Sequence, residues 1–424
     1  MRKRVAVRNL ELGMYVDELD RPWAGTPFLF QGFPIRKQQE LDLLQQYCDF
    51  VYIVDERREK AKPRRKNPTP PDLATHRFAT GGVNVQPPPS EPTAPAQDHH
   101  ALVRELKQTK KTYDECHSYI ATALNDVRLG KSLDVASGSR LVETLGESII
   151  RNESALVFLS QLKQHDDYTV RHSLNVCILS LLLGKHLGLK LDSLHTLGLG
   201  ALLHDIGKMK LPNEILNKPG KLTADEFALV RQHPEDGCRL LTGKPGIGRE
   251  VLDIVRSHHE RIDGTGYPRG LKGDALGLLP MIVAITDVYD AITTNRRYHE
   301  GISPHEALRQ MYEHEIGSFR LDLLDHFIQC LSIFPVGSIV ELDSGEVAVV
   351  MSINHHQHLL PVVLLVLDAD KRPYLPRKVC NLELMAARKT PLRIRKILES
   401  STYGIDVAKI LLEENNFDAL AMIH

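Results

Sequence analysis

The chain has 424 residues, of which 42% are hydrophobic, and its formal net charge is −1. This length and apolar content are sufficient for two or three globular domains. Because no overall positive field attracts polyanions, we expect no nucleic-acid polymer as a partner. No stretch approaches the roughly 18 consecutive apolar residues of a membrane helix, so we expect no membrane span.

The cysteines and the amino terminus predict a cytoplasmic protein. The six cysteines are scattered and contain no C-x-x-C pair, which favours reduced thiols and argues against a thiolate zinc site. No apolar segment follows the charged start of the chain, so we expect no signal peptide. Histidine, with 20 copies, is the abundant candidate metal ligand.

Residues 1–60 predict a small α+β domain. Apolar and polar residues alternate near the start of the chain, which is typical of a strand, and residues 12–16 predict a turn into a second short strand. Leucines at helical spacing predict a helix over 38–48, and the apolar run at 50–54 predicts a strand. Because no cluster of catalytic side chains occurs here, we expect a regulatory or interaction role.

Residues 61–100 predict a flexible linker. A basic run at 62–66 is followed by repeated prolines among polar residues. Such a segment cannot bury enough apolar surface to offset its ordering entropy. A connecting helix is expected over 101–138. Such a helix often joins domains or dimerises them, so a homodimer is one alternative.

Helical periodicity dominates from residue 139 to residue 335 and predicts an all-α core. The predicted helices are 141–150, 155–164, 170–187, 194–205, 224–241, 248–257, 279–294 and 304–315. The remaining residues, 336–424, predict a β-rich extension closed by terminal helices. Its predicted strands are 337–342, 347–353 and 360–367, and its predicted helices are 394–398 and 407–414.

The stretch L-L-H-D-I-G-K at 202–208 ends an apolar helical run with adjacent His204 and Asp205. Successive helix residues diverge by about 100°. The two side chains can therefore bind one metal from two sides, or they can bind two metals if the carboxylate bridges the two ions. Read alone, the stretch fits equally well a surface helix end with a capping histidine.

Histidines and aspartates recur near the helix ends and turns of the same region. The candidate metal ligands are His172, His204, Asp205, His233, His258, His259 and Asp287. Any one of these histidines alone would more often be an ordinary surface or core residue. As a set they exceed one mononuclear site and predict two ions about 3.5–4 Å apart, with Asp205 as the shared carboxylate.

Imidazoles and carboxylates without thiolates favour iron or manganese, and zinc, magnesium or nickel are the alternatives. Two such cations would lower the pKa of a bridging water and hold a hydroxide in line with a phosphorus atom. They would also neutralise the charge that develops on the phosphoryl oxygens. The constellation therefore predicts a metal-dependent phosphoryl hydrolase.

Four motifs make this chemistry specific. H-D-x-G-K resembles the HD superfamily of metal-dependent phosphohydrolases, and the run H-H-E-R-I-D-G-T-G-Y-P at 258–268 resembles the HD-GYP signature. The segments 211–223 and 287–291 are further close matches, and the resemblance covers roughly 140–335. The start of the chain is similar to an uncharacterised domain that often precedes this family.

The resemblance implies a mainly α protein with an HD-type catalytic domain at 139–335. It implies a cytoplasmic phosphodiesterase that linearises cyclic di-GMP to pGpG and can continue to GMP. The seven candidate ligands match the family's metal ligands, and Asp205 and Lys208 match its catalytic pair. The residues that match its substrate contacts are Lys208, Gly266, Tyr267 and Arg296.

Two positions depart from the family pattern. Tyr168 stands where some relatives have a glutamate that holds a third metal, which predicts a two-metal site here. Members tend to read D-R-P-Y and then a basic residue, whereas this chain has Arg297 and His299 in that segment. The alternatives are a hydrolase of another cyclic dinucleotide, such as cyclic GMP-AMP, or a non-catalytic sensor or scaffold that binds a diguanylate cyclase or another signalling protein.

Overall fold

The structure is a computed structural model that describes most of the chain. The described residues are 2–21, 26, 28, 32–35, 38–54, 99–161, 168–216, 218, 220–294, 301–314, 317–331, 334–353, 360–386, 392–398, 402–407 and 410. Nearly all of the predicted linker lies outside them, as do Arg296, Arg297, His299 and most of the predicted helix 407–414. The chain divides into two compact units, Met1–Pro89 and Ser90–His424.

The described part of the first unit is a small α+β structure. Its elements are β1 (Arg2–Ala6), β2 (Tyr15–Leu19), β3 (Phe33–Pro34), α1 (Gln38–Tyr47) and β4 (Phe50–Val54). The antiparallel sheet has the order β1-β4-β2-β3, so the apolar run of β4 becomes a central strand. Leu41 and Leu44 of α1 join Val51 in its core, because their helical spacing directs both leucines to one face.

Helices build most of the second unit, and the mainly α fold class is confirmed. They are α2 (His99–Arg128), α3 (Val135–Gln161), α4 (Tyr168–His186), α5 (Leu191–Leu203), α6 (Asn213–Leu216), α7 (Ala224–Val230), α8 (His233–Leu241), α9 (Arg249–Ser257), α10 (Leu278–Thr293), α11 (Pro304–His314) and α12 (Leu321–Leu331). No helix of the described chain is both long and apolar enough to cross a bilayer.

Several helix predictions within 139–335 need correction. The helices predicted at 141–150 and 155–164 are one helix, α3, because the joining residues 151–154 contain no glycine or proline. The helix predicted at 224–241 is two, because Pro234 in the first turn of α8 cannot continue an incoming helix. Helix α12 was not predicted, although its leucines have helical spacing.

A second antiparallel sheet follows the helices. Its strands are β5 (Ile339–Leu342), β6 (Val347–Ser352), β7 (Val362–Leu367), β8 (Pro373–Asn381) and β9 (Ile394–Leu398). They lie in the sheet in the order β8-β7-β6-β5-β9. In the sequence, α13 (Leu382–Ala386) lies between β8 and β9. The prediction of a helix at 394–398 is wrong, because these residues pair with β5 as an edge strand. Five residues are too few for periodicity to separate the two states.

Helix α4 forms the centre of the second unit. All residues from Val170 to Gly184 are buried, and α4 packs against α5 and α10. Helix α9 packs against α5, α8 and α10. A helix that is apolar on all sides is stable only when it is surrounded. These packed helices bring their polar ends to one place.

Candidate metal centre

The seven predicted ligands lie on five different elements and converge in space. His172 is the fifth residue of α4, Asp287 is in the middle of α10 and His233 begins α8. The other four are two adjacent pairs that follow helix ends: His204 and Asp205 follow α5, and His258 and His259 follow α9. Their ligand atoms form two groups, each within 4.8 Å: Asp205, His233, His258 and His259; and His172, His204 and Asp287.

A close backbone contact brings the two groups together. After Asp205 the chain makes a short 3-10 turn over Ile206–Lys210, which packs against α8. A Cβ atom on Gly207 would lie 1.9 Å from the carbonyl oxygen of His233 and 2.5 Å from the nitrogen of Gly237. Only glycine permits this approach. The contact holds His233 beside the His-Asp pair.

Asp205 lies between the two groups and directs one oxygen to each. Its Oδ2 is 3.3 Å from Nε2 of His204 and 3.6 Å from Nε2 of His172. Its Oδ1 is 3.3 Å from Nε2 of His233 and 3.7 Å from Nε2 of His258. This arrangement is the one expected of a carboxylate that bridges two cations. The side chain is 1% exposed, so no bulk water substitutes for those partners.

Backbone carbonyls fix the ring orientation of three histidines. Nδ1 of His204, His233 and His258 donates to the carbonyl three residues earlier, at 2.6, 2.7 and 2.8 Å. A carbonyl oxygen can only accept, so each Nδ1 carries the proton and each Nε2 keeps its lone pair. Metal-binding histidines are commonly held in this way.

The donor atoms fit a cation and leave an unsatisfied site without one. Nε2 of His233 and Nε2 of His258 face each other at 3.1 Å. In the tautomers that the carbonyls impose, neither nitrogen carries a proton, so neither can donate a hydrogen bond to the other. Nε2 of His204 and Oδ1 of Asp205 are buried without a hydrogen-bond partner. Buried polar atoms of this kind cost free energy unless something binds them. A cation in each group would satisfy all four atoms.

The electrostatic environment keeps the carboxylates ionised. Burial opposes ionisation of Asp205, but Lys208 and the neighbouring histidines outweigh it and hold the pKa of its carboxyl well below the usual range. Burial lowers the pKa of His258 to about 4. Burial would also lower the pKa of His172, but Asp287 and Asp290 raise it to about 9. A cation bound to His172 would therefore displace a proton.

A group of residues behind His172 was not predicted as functional. Nδ1 of His172 lies 2.7 Å from Oδ2 of Asp290, whose other oxygen accepts from Asn175 at 2.8 Å and from Thr294 at 3.1 Å. A carboxylate behind a ligand histidine orients its ring and raises its basicity. The sequence contains one signal that could have indicated Asp290: it follows Asp287 by three residues on the same helix, so the two carboxylates share a face.

Lys208 and Tyr267 border the ligand groups. Nζ of Lys208 is 2.5 Å from Oδ2 of Asp205, and its side chain is 24% exposed. The ring of Tyr267 lies 4.7 Å from that of His259, and burial raises the pKa of its phenol, which stays protonated. Tyr168 stacks on His172 and offers no carboxylate, so the two-metal prediction stands as a prediction.

A buried glutamate holds the loop that carries Tyr267, and it too was not predicted. Glu260 is 0% exposed, and its two oxygens accept from the backbone nitrogens of Arg269 at 2.7 Å and Leu271 at 3.0 Å. A Cβ atom on Gly266 would lie 2.5 Å from Cα of Glu260, so the loop needs glycine to close over the glutamate. The substrate roles of Gly266 and Tyr267 stay predictions.

Two family models and several named phosphodiesterases are similar to the chain. A family model described as "HD domain" matches residues 153–322, and one described as a domain of unknown function, DUF3391, matches residues 2–137. A cyclic di-GMP phosphodiesterase of Pseudomonas aeruginosa is 36% identical over 90% of this chain and 89% of its own length.

Two further relatives match shorter segments. A 3'3'-cGAMP-specific phosphodiesterase of Vibrio cholerae is 39% identical over 40% of this chain and 38% of its own length. A cyclic di-GMP phosphodiesterase response regulator of Xanthomonas campestris is 41% identical over 31% of this chain and 35% of its own length.

The helical fold and the paired ligand groups define an HD-domain protein. Within that class, the chain belongs to the HD-GYP family of cyclic di-GMP phosphodiesterases and their relatives. The match to residues 2–137 spans the predicted accessory domain, linker and connecting helix together. The five-part division of the chain stays a prediction.

Proposed function

We propose that this protein is a metal-dependent phosphodiesterase that hydrolyses cyclic di-GMP to pGpG and onward to GMP. The observation that carries the proposal is Asp205, whose two oxygens face two separate groups of ligand nitrogens. A carboxylate shared in this way is the central feature of binuclear phosphohydrolase sites. The substrate follows from the relative that matches nearly the whole chain.

The residues present suit two divalent cations. One cation would be held by His172, His204 and Asp287, and the other by His233, His258 and His259, with Asp205 common to both. When bound, such ions acidify water and neutralise charge on the phosphoryl oxygens. Iron or manganese suits this set of imidazoles and carboxylates best, and zinc, magnesium or nickel are the other choices.

The remaining residues bind and orient the substrate. Lys208 approaches Asp205 from the partly exposed side, where its ammonium group can hold a phosphate oxygen as a point charge. Gly266 and Tyr267 form the loop beside His259 and border the substrate. We also propose a phosphate contact for Arg296, on the family pattern alone.

Product chromatography of purified, metal-loaded protein tests the proposal. We expect manganese- or iron-loaded protein to convert cyclic di-GMP to pGpG and then GMP, with about two ions bound per chain, as in a binuclear site. The variant His204→Ala should lose turnover. The variant His195→Ala is the matched control, because His195 bonds to Ser139 rather than to any ligand. Turnover by the His204→Ala variant at the wild-type rate contradicts the mechanism.

A second substrate has specific support. The 3'3'-cGAMP-specific relative shares 39% identity over its matched segment, and cyclic GMP-AMP offers the same phosphodiester geometry. Turnover of both dinucleotides at equal concentrations decides between them. We expect a higher kcat/KM for cyclic di-GMP, and the reverse order would reassign the substrate.

The non-catalytic alternative is a scaffold that binds a diguanylate cyclase or another signalling protein. The complete set of seven ligands favours the enzyme. The His204→Ala variant separates the two, since a scaffold keeps its partner while an enzyme loses turnover. We infer a cytoplasmic location from the six free cysteines.

A further inference from the structure

We propose that Arg231 recognises a guanine base of the substrate, with the rings of Tyr267 and Phe227 as its aromatic surroundings. This inference rests on the proposed function, because it identifies which base that site prefers. Arg231 lies in the turn between α7 and α8, and its side chain is exposed. Its guanidinium carbon is 4.9 Å from the centroid of the Tyr267 ring.

The position of Tyr267 brings Arg231 to the edge of the metal centre. The Tyr267 ring is 4.7 Å from the His259 ring and 6.4 Å from the His233 ring, and both histidines belong to one ligand group. Tyr267 is therefore a shared neighbour of the guanidinium and of that ligand group. A dinucleotide with a phosphate at the metals has its bases within reach of this edge.

Helix α7 presents apolar surface at the same edge. None of its residues is buried; Phe227 is 48% exposed and Leu229 is 42% exposed. The Phe227 ring meets the Tyr267 ring edge-on at 6.4 Å. Exposed aromatic groups beside a nucleotide site are suited to contact with the flat faces of bases.

Polar interactions rather than burial hold this helix in position. The hydroxyl of Thr223 accepts from the backbone nitrogen of Glu226 at 3.2 Å, and the Glu226 carboxylate accepts from that of Thr223 at 2.7 Å. Lys218 adds an ion pair to Glu226 at 2.6 Å. This capping box fixes the helix while its exposed face stays available.

The guanidinium of Arg231 has donors to offer. Among the described residues, no carboxylate or carbonyl accepts a hydrogen bond from the Arg231 guanidinium. Two nearby arginines differ in this respect, because Arg239 pairs with Asp236 and Arg256 pairs with Glu235. A guanidinium packed over an aromatic ring keeps its N–H donors in its own plane, directed outward. Guanine offers two adjacent acceptors, O6 and N7, that match two such donors, whereas adenine offers an amino donor beside N7.

Calorimetric titration of manganese-loaded protein with GMP and AMP tests this assignment without turnover. The two nucleotides carry the same phosphate, so a difference between them reports on the base. We expect wild-type protein to bind GMP at least about tenfold more tightly than AMP. The Arg231→Ala variant should lose that preference by weakening GMP alone, and Arg231→Lys should recover little of it, because an ammonium cannot form the two-pronged contact.

Arg239→Ala is the matched control, since Arg239 is an exposed arginine on the neighbouring helix, and it should bind both nucleotides as wild type does. Metal content and Tm of Arg231→Ala should equal those of wild type. Equal binding of GMP and AMP by wild type, absence of GMP binding, or equal weakening of both nucleotides in Arg231→Ala overturns the assignment. Failure to hydrolyse cyclic di-GMP with the GMP preference intact overturns the proposed function alone.

Discussion

The orientation of the ligand histidines has a local origin at three positions and a distant one at the fourth. His204, His233 and His258 each donate to the carbonyl three residues earlier, so a local segment of four residues sets the tautomer. His172 instead depends on Asp290, which is 118 residues away in the sequence. The first kind of support is local to each helix end, whereas the second exists only after α4 and α10 have packed.

The variant Asp290→Asn tests the distant support. Asparagine has the same shape but lacks the charge that holds the His172 ring, so we expect metal affinity to fall about 10- to 100-fold. Competition with a chromogenic chelator measures it. Thr294→Val removes the hydroxyl from the other oxygen of Asp290 and is the control, with affinity near that of wild type. Equal affinity in both variants would mean that Asp290 does not position His172.

The variant Glu260→Gln tests the support of the Tyr267 loop. A glutamine has one acceptor oxygen, so one of the backbone N–H groups of Arg269 and Leu271 would face an amide donor, at a cost of about 1–3 kcal/mol. We expect the KM for cyclic di-GMP to rise while the bound metal stays unchanged. Asp263→Asn changes an exposed carboxylate in the same loop and should leave KM near wild type. A loss of metal in Glu260→Gln would assign the glutamate to the metal centre instead.

At the scale of elements, the site depends on two helices that approach each other without side chains between them. The turn at Ile206–Lys210 lies directly on α8, and glycines occupy both sides of the contact at Gly207 and Gly237. Because His204 and Asp205 precede this turn and His233 begins α8, the distance between backbones sets the distance between ligands. Packing density leaves no room for adjustment there.

The variant Gly207→Ala tests this contact. Its Cβ atom would lie 1.9 Å from the His233 carbonyl oxygen, so α8 must move and carry His233 away from Asp205. We expect a loss of at least one bound metal per chain and lower thermal stability, measured by elemental analysis and calorimetry.

Gly146→Ala is the matched control for that change. Gly146 lies within α3, and a Cβ atom there would meet nothing within 4 Å. Alanine in a helix is favoured over glycine, so stability should rise by about 0.5–1 kcal/mol with metal content unchanged. Full metal content in Gly207→Ala would show that α8 has more freedom than the contact indicates.

At the scale of the whole molecule, the metal centre joins segments that are far apart in sequence. His172 and Asp287 are the outermost ligands, and the helices between them contribute the rest. An unfolded chain cannot present these side chains together. Metal binding is therefore linked to folding of the helical unit.

Metal removal should measurably destabilise the protein. Ligands that bind only the folded state stabilise it by RT ln(1 + [L]/Kd), which is about 2.7 kcal/mol at a concentration 100 times Kd. We expect Tm of chelator-treated protein to rise with added Mn²⁺ in a concentration-dependent way, followed by scanning calorimetry. The His204→Ala variant should show a smaller rise, and an equal rise in both proteins would place the stabilising ions elsewhere.

The sequence predicted the local elements well where one signal acted alone. The strand over Phe50–Val54 and the helices around His172 and Asp287 followed directly from apolar runs and spacing. The prediction failed where a neighbour in space decided the outcome, as at β9, which extends because it pairs with β5. It also failed at Pro234, where a known helix-breaking residue was outweighed by the leucine pattern on both sides.

The sequence by itself determined the chemistry of this protein, because the imidazoles, carboxylates and lysine of the site are present in its motifs with their spacing. The tautomers of three histidines became apparent only in the structure, which places each Nδ1 beside the carbonyl three residues earlier. Only the tertiary structure decided which candidate ligands lie in the same group, that Asp205 offers one oxygen to each group, and that Asp290, Glu260 and Arg231 surround the site. The physical reason is that side-chain direction and burial arise from packing between helices, which no single stretch of sequence contains.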